Sequence, residues 1–345
     1  MKTYTLKANS HWNTEGVRRV TNQIHIAREL PKKISIARDI LECWHPTVEE
    51  DGGIVAYLTR NYSLWIVIGD NELYANEDSS YLFMGFHNCC TIDGLDLINT
   101  QNVQSFDSAF EYCGYNASIF SIKGLEKWTT SSVRNMRGMF SNVGALAHAW
   151  NIGDLSRWNT SNATDMSAMF YNAGFCAKEW SIGNINNWDV SKVTNMSSMF
   201  QCAGYLTNIL NVNVTNWKVN HVSDMSSMFS GTGHSATIWN IGILSDWDVS
   251  NIKYMPCMFM NAGAQAESWD IGDLSKWNVA NVVNMEFMFF AAGEHSKKFK
   301  LDGLEEWDFS YSVKRPNTTE MFVNSGNLDE DWRKRRVSLE KYFSA

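Results

Sequence analysis

The chain has 345 residues, of which 44% are hydrophobic and 19% charged, and a formal net charge of −8. That balance excludes a disordered chain, and the negative sign argues against nucleic-acid binding, which needs a basic footprint to neutralise phosphates. Four prolines exclude a proline-rich stalk, and no run approaches the roughly 18 apolar residues of a membrane helix, so no membrane insertion is expected.

In chain order, residues 1–20 alternate polar and apolar types without the apolar centre of an export leader, so export by the general pathway is not expected unless a leader is missing. Residues 1–45 carry eight Lys/Arg and four Asp/Glu, a basic segment on an acidic chain. Within it, Val17–Leu30 and Ile34–Cys43 fit helix or strand equally. Gly53–Tyr74 reads as a β-hairpin turning near Arg60–Ser63. Phe86-His-Asn-Cys89 echoes Phe110-Glu-Tyr-Cys113 and reads as a degenerate opening unit. Residues 1–89 are therefore expected to form a small mixed N-terminal cap. The seven cysteines form no C-x-x-C pair, and the expectation is buried free thiols in a reducing compartment.

From there on the chain repeats itself. Met-Phe recurs with its Phe at 140, 170, 200, 229, 259, 289 and 322, and Phe110 fits the same frame, so most steps are 30 residues. A glycine follows each Phe by four residues, from Gly114 to Gly326. Tryptophan leads the motif at 128, 158, 188, 217, 247, 277 and 307. A second aromatic lies eight residues earlier at Phe120, Trp150, Trp180, Trp239, Trp269 and Phe299, with Ile209 as the exception. Thirteen of 16 methionines and 11 of 15 tryptophans belong to this device, so packing between units rather than composition explains their number. Eight units are expected over 90–331.

In one unit, Trp180-Ser-Ile182 alternates as a short strand does, and Gly183 with the asparagines after it reads as a turn. Ser191 stands where a helix N-cap belongs, as do Ser131, Ser161, Asn220, Ser250 and Ser310. Val193, Met196, Met199, Phe200 and Ala203 then share one face of a short helix or turn, ended by Gly204 at a left-handed position. Such a unit buries its large side chains only by stacking on copies of itself, which predicts a right-handed repeat solenoid. At the far end Asp329–Phe343 reads as an amphipathic helix with Trp332, Leu339 and Phe343 on one side, so 332–345 is expected to be a C-terminal helical cap.

The run W-D-V-S-K-V-T-N-M-S-S-M-F at 188–200 resembles the mycoplasma-type surface-protein repeat, a relative of BspA-like leucine-rich repeats. Ile92-Asp-Gly-Leu95 and the Gly53–Tyr74 segment are similar to the segment that precedes that family's repeats. The resemblance spans roughly 53–326. It implies a leucine-rich-repeat-like solenoid, with a short strand plus short helix or turn in each 30-residue unit. It also implies display on cell surfaces, with adhesion or protein interaction as the task. Similar repeats occur in protist and viral proteins, and the family carries no known catalytic set.

Candidate sites follow from the positions the core leaves free. The tryptophan columns offer either a sugar-stacking stripe or a core stack, and regular spacing beside the Met-Met-Phe face points to the core. Asn135, Asp165, Asn195, Asp224 and Asn284 form a column before the first Met. Calcium would want six to eight oxygens, so these side chains are expected to satisfy backbone donors instead. His148, His234 and His295 lie in inter-unit loops without a repeated acidic or cysteine partner. No G-x-S-x-G, H-E-x-x-H, P-loop or dinucleotide fingerprint occurs, so no catalytic residue, cofactor or metal is expected. The loops Tyr115–Ile119, Ala145–Ala149, Phe175–Glu179, Tyr205–Asn208, His234–Ile238, Ala264–Ser268 and Glu294–Lys298 vary freely. Repeat proteins bind through such faces. This nominates His148, Lys178, Glu179, Tyr205, His234, Gln265, Glu267, Glu294 and His295. The expected task is a non-enzymatic scaffold for a protein partner, at a cell surface by the resemblance. The alternatives are a structural subunit of a larger assembly such as a virion component, in a virion or the cytoplasm, and a glycan-binding or glycan-acting protein with an aromatic groove.

Overall fold

The computed structural model describes residues 1–9, 11–309 and 315–344. Its N-terminal part is a mixed sheet. Strands β1 (Thr3–Thr5), β2 (Gln23–Ala27), β3 (Ile40–Trp44), β4 (Val55–Thr59), β5 (Ser63–Val67) and β6 (Glu72–Tyr74) are joined by the short helices α1 (Glu15–Val20) and α2 (Ile36–Asp39). The ambiguous early segment thus resolves into helix α1, capped by Thr14, and strand β2, whose Ile24 and Ile26 point inward. β4 and β5 pair antiparallel around a turn at Arg60–Tyr62, where Tyr62 takes a φ of 63°.

The repeats add β7 (Thr91–Asp93), β8 (Ile98–Asn99), β9 (Ile119–Ile122), β10 (Ala149–Asn151), β11 (Ile209–Asn211), β12 (Ile238–Asn240), β13 (Ser268–Asp273) and β14 (Lys298–Asp302). One seven-stranded sheet runs in the order β10-β9-β7-β2-β5-β4-β3, beside a three-stranded sheet β1-β6-β8 and the pairs β11-β12 and β13-β14. Successive units lie parallel and in register. A single column of bridges runs from Asp78 through Ser105, Asn135, Asp165, Asn195, Asp224, Tyr254 and Asn284 to Asn317.

The expected leucine-rich-repeat-like solenoid with a helix in each unit is not what forms. Among the described residues, α-helix is confined to α1, α2 and the terminal α3 (Glu330–Ser344), and the remainder is multi-stranded sheet, tandem turns and four single 3₁₀ turns. The backbone shows why the helical periodicity misleads. In the Met-Met-Phe segment, Met196, Ser198, Phe200 and Cys202 donate their N–H groups to Asp224, Ser226, Met228 and Ser230 of the next unit, at 2.8–2.9 Å. The residues between them, Met199, Gln201 and Ala203, close turns onto Met196, Ser198 and Phe200. Ser198, Cys202 and Gly204 take φ values of 57°, 56° and 52°, which an α-helix cannot contain. Apolar side chains at i, i+3, i+4 and i+7 still face inward, because three tandem turns repeat nearly as one helical face does. The proposed N-caps therefore cap nothing helical: Ser161, Ser191 and Ser250 donate their N–H groups to Asn159, Asp189 and Asp248 in side-chain turns. Ser310 lies outside the described residues.

The core is a set of columns. Phe83, Phe110, Phe140, Phe170, Phe200, Phe229, Phe259, Phe289 and Phe322 stack with centroids 5.2–5.8 Å apart. The opening unit is thus three residues out of the register expected for it, since Phe83 and not Phe86 lies on Phe110. Both tryptophan columns are buried and their indoles are satisfied. Trp158, Trp188 and Trp217 donate to the carbonyls of Leu125, Leu155 and Ile185 one unit back. Trp150, Trp180 and Trp239 donate to carbonyls seven residues back, at the end of the preceding unit. Each bond contributes about 1 kcal/mol net and ties a large ring to a defined height in the stack.

The C-terminal end is closed by α3. Trp332, Leu339 and Phe343 are buried, with Trp332 lying 4.8 Å from Phe299 and Phe343 lying 5.4 Å from Phe322.

Candidate functional site

The repeat strands β10, β11 and β12 turn their central residue inward and its neighbours outward. In β11 Leu210 is buried while Ile209 and Asn211 are exposed, and β12 repeats this with Trp239 between Ile238 and Asn240. The outward residues of successive units form columns because the register is parallel. Asn151 lies beside Ser121, Ser121 beside Thr91, and Thr91 beside Gln23, so the outer face of the N-terminal sheet and that of the first repeats are one surface.

Midway along this surface the repeat breaks. The step from Phe200 to Phe229 is one residue short. The deletion falls after the strand, so Leu210, not Ile209, occupies the aromatic column, paired in register with Trp239. Counting eight residues back from Trp217 puts Ile209 in that column, whereas the structure leaves it 52% exposed. The preceding unit, at Trp180, forms no strand. A groove of about 740 Å³ opens here. It is lined by Asn184, Asn208, Asn211, Asn213 and Asn240, with Lys178 and Glu179 as its charged groups and Trp180 and Ile209 as its large apolar ones. Asn240 donates to the amide oxygen of Asn211 at 3.0 Å, which aligns the two side chains across the units.

Beside the groove stands an apolar centre. Ile209 and Ile238 are register partners, and Ile238 is 56% exposed. Leu206 and Ile243, on the same two units, are also exposed. In the three columns that start at Lys178, Glu179 and Ser181, the charged residues lie to either side of this centre: Lys178 and Glu179 before it, Glu267 and Asp270 after it, then Lys297, Lys298 and Lys300.

The nominated residues divide between this face and its flank. Lys178 and Glu267 belong to one marginal column, in which Asn208, Thr237, Glu267 and Lys297 each donate a backbone N–H to the unit before. His148 precedes them in that column, with the backbone N–H of Lys178 on its carbonyl at 3.1 Å. Glu179 sits one residue on, in the column of Ile209. Gln265 and His295 are exposed one column away, and Glu294 is half-buried. Tyr205 and His234 are brought together with Phe175 in a stacked row, at 4.6 and 4.4 Å between rings. That row is a packing feature. Burial pushes the His234 imidazole below its ordinary value, and the thiol of Cys202, beside Tyr205, is pushed up to about 11 for the same reason. The residues that sequence reasoning missed here are Ile209 and Ile243; the available signal was the strand alternation at Ile209-Leu210, hidden by the one-residue deletion.

Other readings resolve against the geometry. No tryptophan of the two columns is more than 7% exposed, so neither column offers a face to a sugar ring. The Asn/Asp column accepts backbone N–H groups two residues on, as in Ser167 to Asp165 at 2.8 Å and Ser197 to Asn195 at 3.0 Å. Among the described residues no group of three or more His, Cys, Asp or Glu could hold a metal ion, and no helix is long and apolar enough to cross a membrane.

A family model described as "Mycoplasma protein of unknown function, DUF285" matches residues 78–181, 174–271 and 243–342. No curated protein and no solved structure matches the chain.

Proposed function

The chain belongs to the DUF285 family of Mycoplasma-type repeats, and from that premise we propose that it is a non-enzymatic scaffold that binds another polypeptide on its strand face. The observation that carries this reading is the uncharged centre at Ile209 and Ile238, register partners that are both more than half exposed, with Leu206 and Ile243 exposed on the same two units. Burying those two residues on a partner is worth about 1.5–3 kcal/mol each, enough to anchor an interface whose charged margin sets its orientation. The groove's lining supports binding: its polar groups are five amides, the Ser181 hydroxyl, one carboxylate and one ammonium.

The test is affinity capture from the native source with three baits: wild type, the double variant Ile209→Asp/Ile238→Asp, and Lys253→Glu on a different exposed edge. The expected outcome is a polypeptide held by wild type and by Lys253→Glu and lost with the double variant. Equal recovery by all three baits overturns the assignment of the face.

A further inference from the structure

Resting on that reading of the strand face, we propose that its occupant is a second copy of this chain, docked about a two-fold axis running along the strands midway between Ile209 and Ile238. The argument is charge complementarity within the columns. Over four successive units the marginal column reads Lys178, Asn208, Thr237, Glu267, a positive end, two uncharged residues and a negative end. A two-fold axis at its centre reverses the order, so Lys178 meets Glu267 of the second copy, twice per dimer. The next column reads Glu179, Ile209, Ile238, Ser268. Reversal places Ile209 on Ile238 of the second copy and sets the Glu179 carboxylate against the Ser268 hydroxyl. The third column reads Ser181, Asn211, Asn240, Asp270. Reversal places amide on amide and sets Asp270 against Ser181, while Lys300 of its own chain already lies 3.5 Å from the Asp270 carboxylate.

No position in the four-unit window brings like charges together. One unit further out, Lys297 falls opposite His148, while Lys298 and Lys300 fall opposite Ala149 and Asn151, which carry no charge. The other two-fold in this face, running along the stack through the column of Ile209, would lay each unit on the same unit with strands reversed and place Glu179 on Glu179 and Lys298 on Lys298. That arrangement is repelled at each margin. The face is therefore self-complementary in one orientation, as an isologous interface requires.

Sedimentation equilibrium over a concentration series tests this on the full chain. Wild type is expected to dimerise. Ile238→Asp should abolish the dimer, and Lys178→Glu and Glu267→Lys should each weaken it roughly tenfold, two lost margin pairs of about 0.5–1 kcal/mol apiece. The combination Lys178→Glu/Glu267→Lys should restore it, because it re-creates the pair with its signs exchanged. All three substituted positions are exposed, and an unchanged thermal midpoint confirms that the fold survives in each variant. A wild-type chain that stays monomeric at every concentration overturns self-association while leaving the capture experiment to judge the face. A dimer indifferent to Ile238→Asp and to the charge exchange also overturns it, since it then uses another surface.

Discussion

At Gly204 the backbone φ is 52°, and a Cβ there would stand 2.9 Å from both Cβ and Cγ of Trp180. The same left-handed conformation recurs two and six residues before each such glycine, and the occupants vary: Gly138 and Asn142, Ala168 and Asn172, Ser198 and Cys202, Ser227 and Gly231, Cys257 and Asn261. Glycine and asparagine tolerate this region, whereas alanine pays for its Cβ. Gly204→Ala combines backbone strain with a clash against a buried ring and should cost about 2–4 kcal/mol. Ala168→Gly, at a half-buried position with φ 53°, relieves strain without losing packing and should stabilise by about 0.5–1 kcal/mol after the added freedom of the unfolded chain. Urea midpoints of the two variants should therefore move in opposite directions. A shared direction would mean that the left-handed positions carry no strain.

At the scale of elements, α3 ends the stack. The last repeat would otherwise leave Phe299, Trp307 and Phe322 uncovered, and α3 meets them with Trp332 and Phe343. Arg335 fixes the helix across the boundary through Asp302 at 2.9 Å and the carbonyl of Leu301 at 2.9 Å, and its pairing with Glu305 holds that carboxyl below the ordinary carboxylate range. Trp332→Ala removes a buried ring and leaves the carbonyl of Ser325 without its indole donor. It should cost about 3–5 kcal/mol, read as a drop in the denaturant midpoint. A variant as stable as wild type would show that α3 is not the cover. The repeat segment itself shows why its conformation was misread. Val193, Met196, Met199, Phe200 and Ala203 have helical spacing, and no apolar pattern reveals that alternate N–H groups leave for the next unit. The glycines and asparagines at the left-handed positions were the visible sign of turns.

Across the whole molecule, contacts run from each unit to its two neighbours, so the structure tolerates changes that keep the register. Removing residues 150–179, one full period, joins Ala149 to Trp180 and lets Trp180 take the place of Trp150. The shortened chain should fold with the same near-ultraviolet signature and a lower thermal midpoint; an unfolded or aggregated product would show that the units are not interchangeable. Such interchangeability is why the sequence by itself determined the period, the residues of the Trp, Met and Phe columns and the terminal helix: a side chain repeated at one height must pack on its copies whatever backbone carries it. The tertiary structure alone decided how that backbone runs, because half of its hydrogen bonds join residues about 30 apart, a separation that leaves no mark on local pattern. It alone also decided where the regularity fails. The one-residue deletion near Ile209 is plain in the spacing, but only the register with β12 shows that it turns Ile209 outward, next to Ile238, and opens the face beside it.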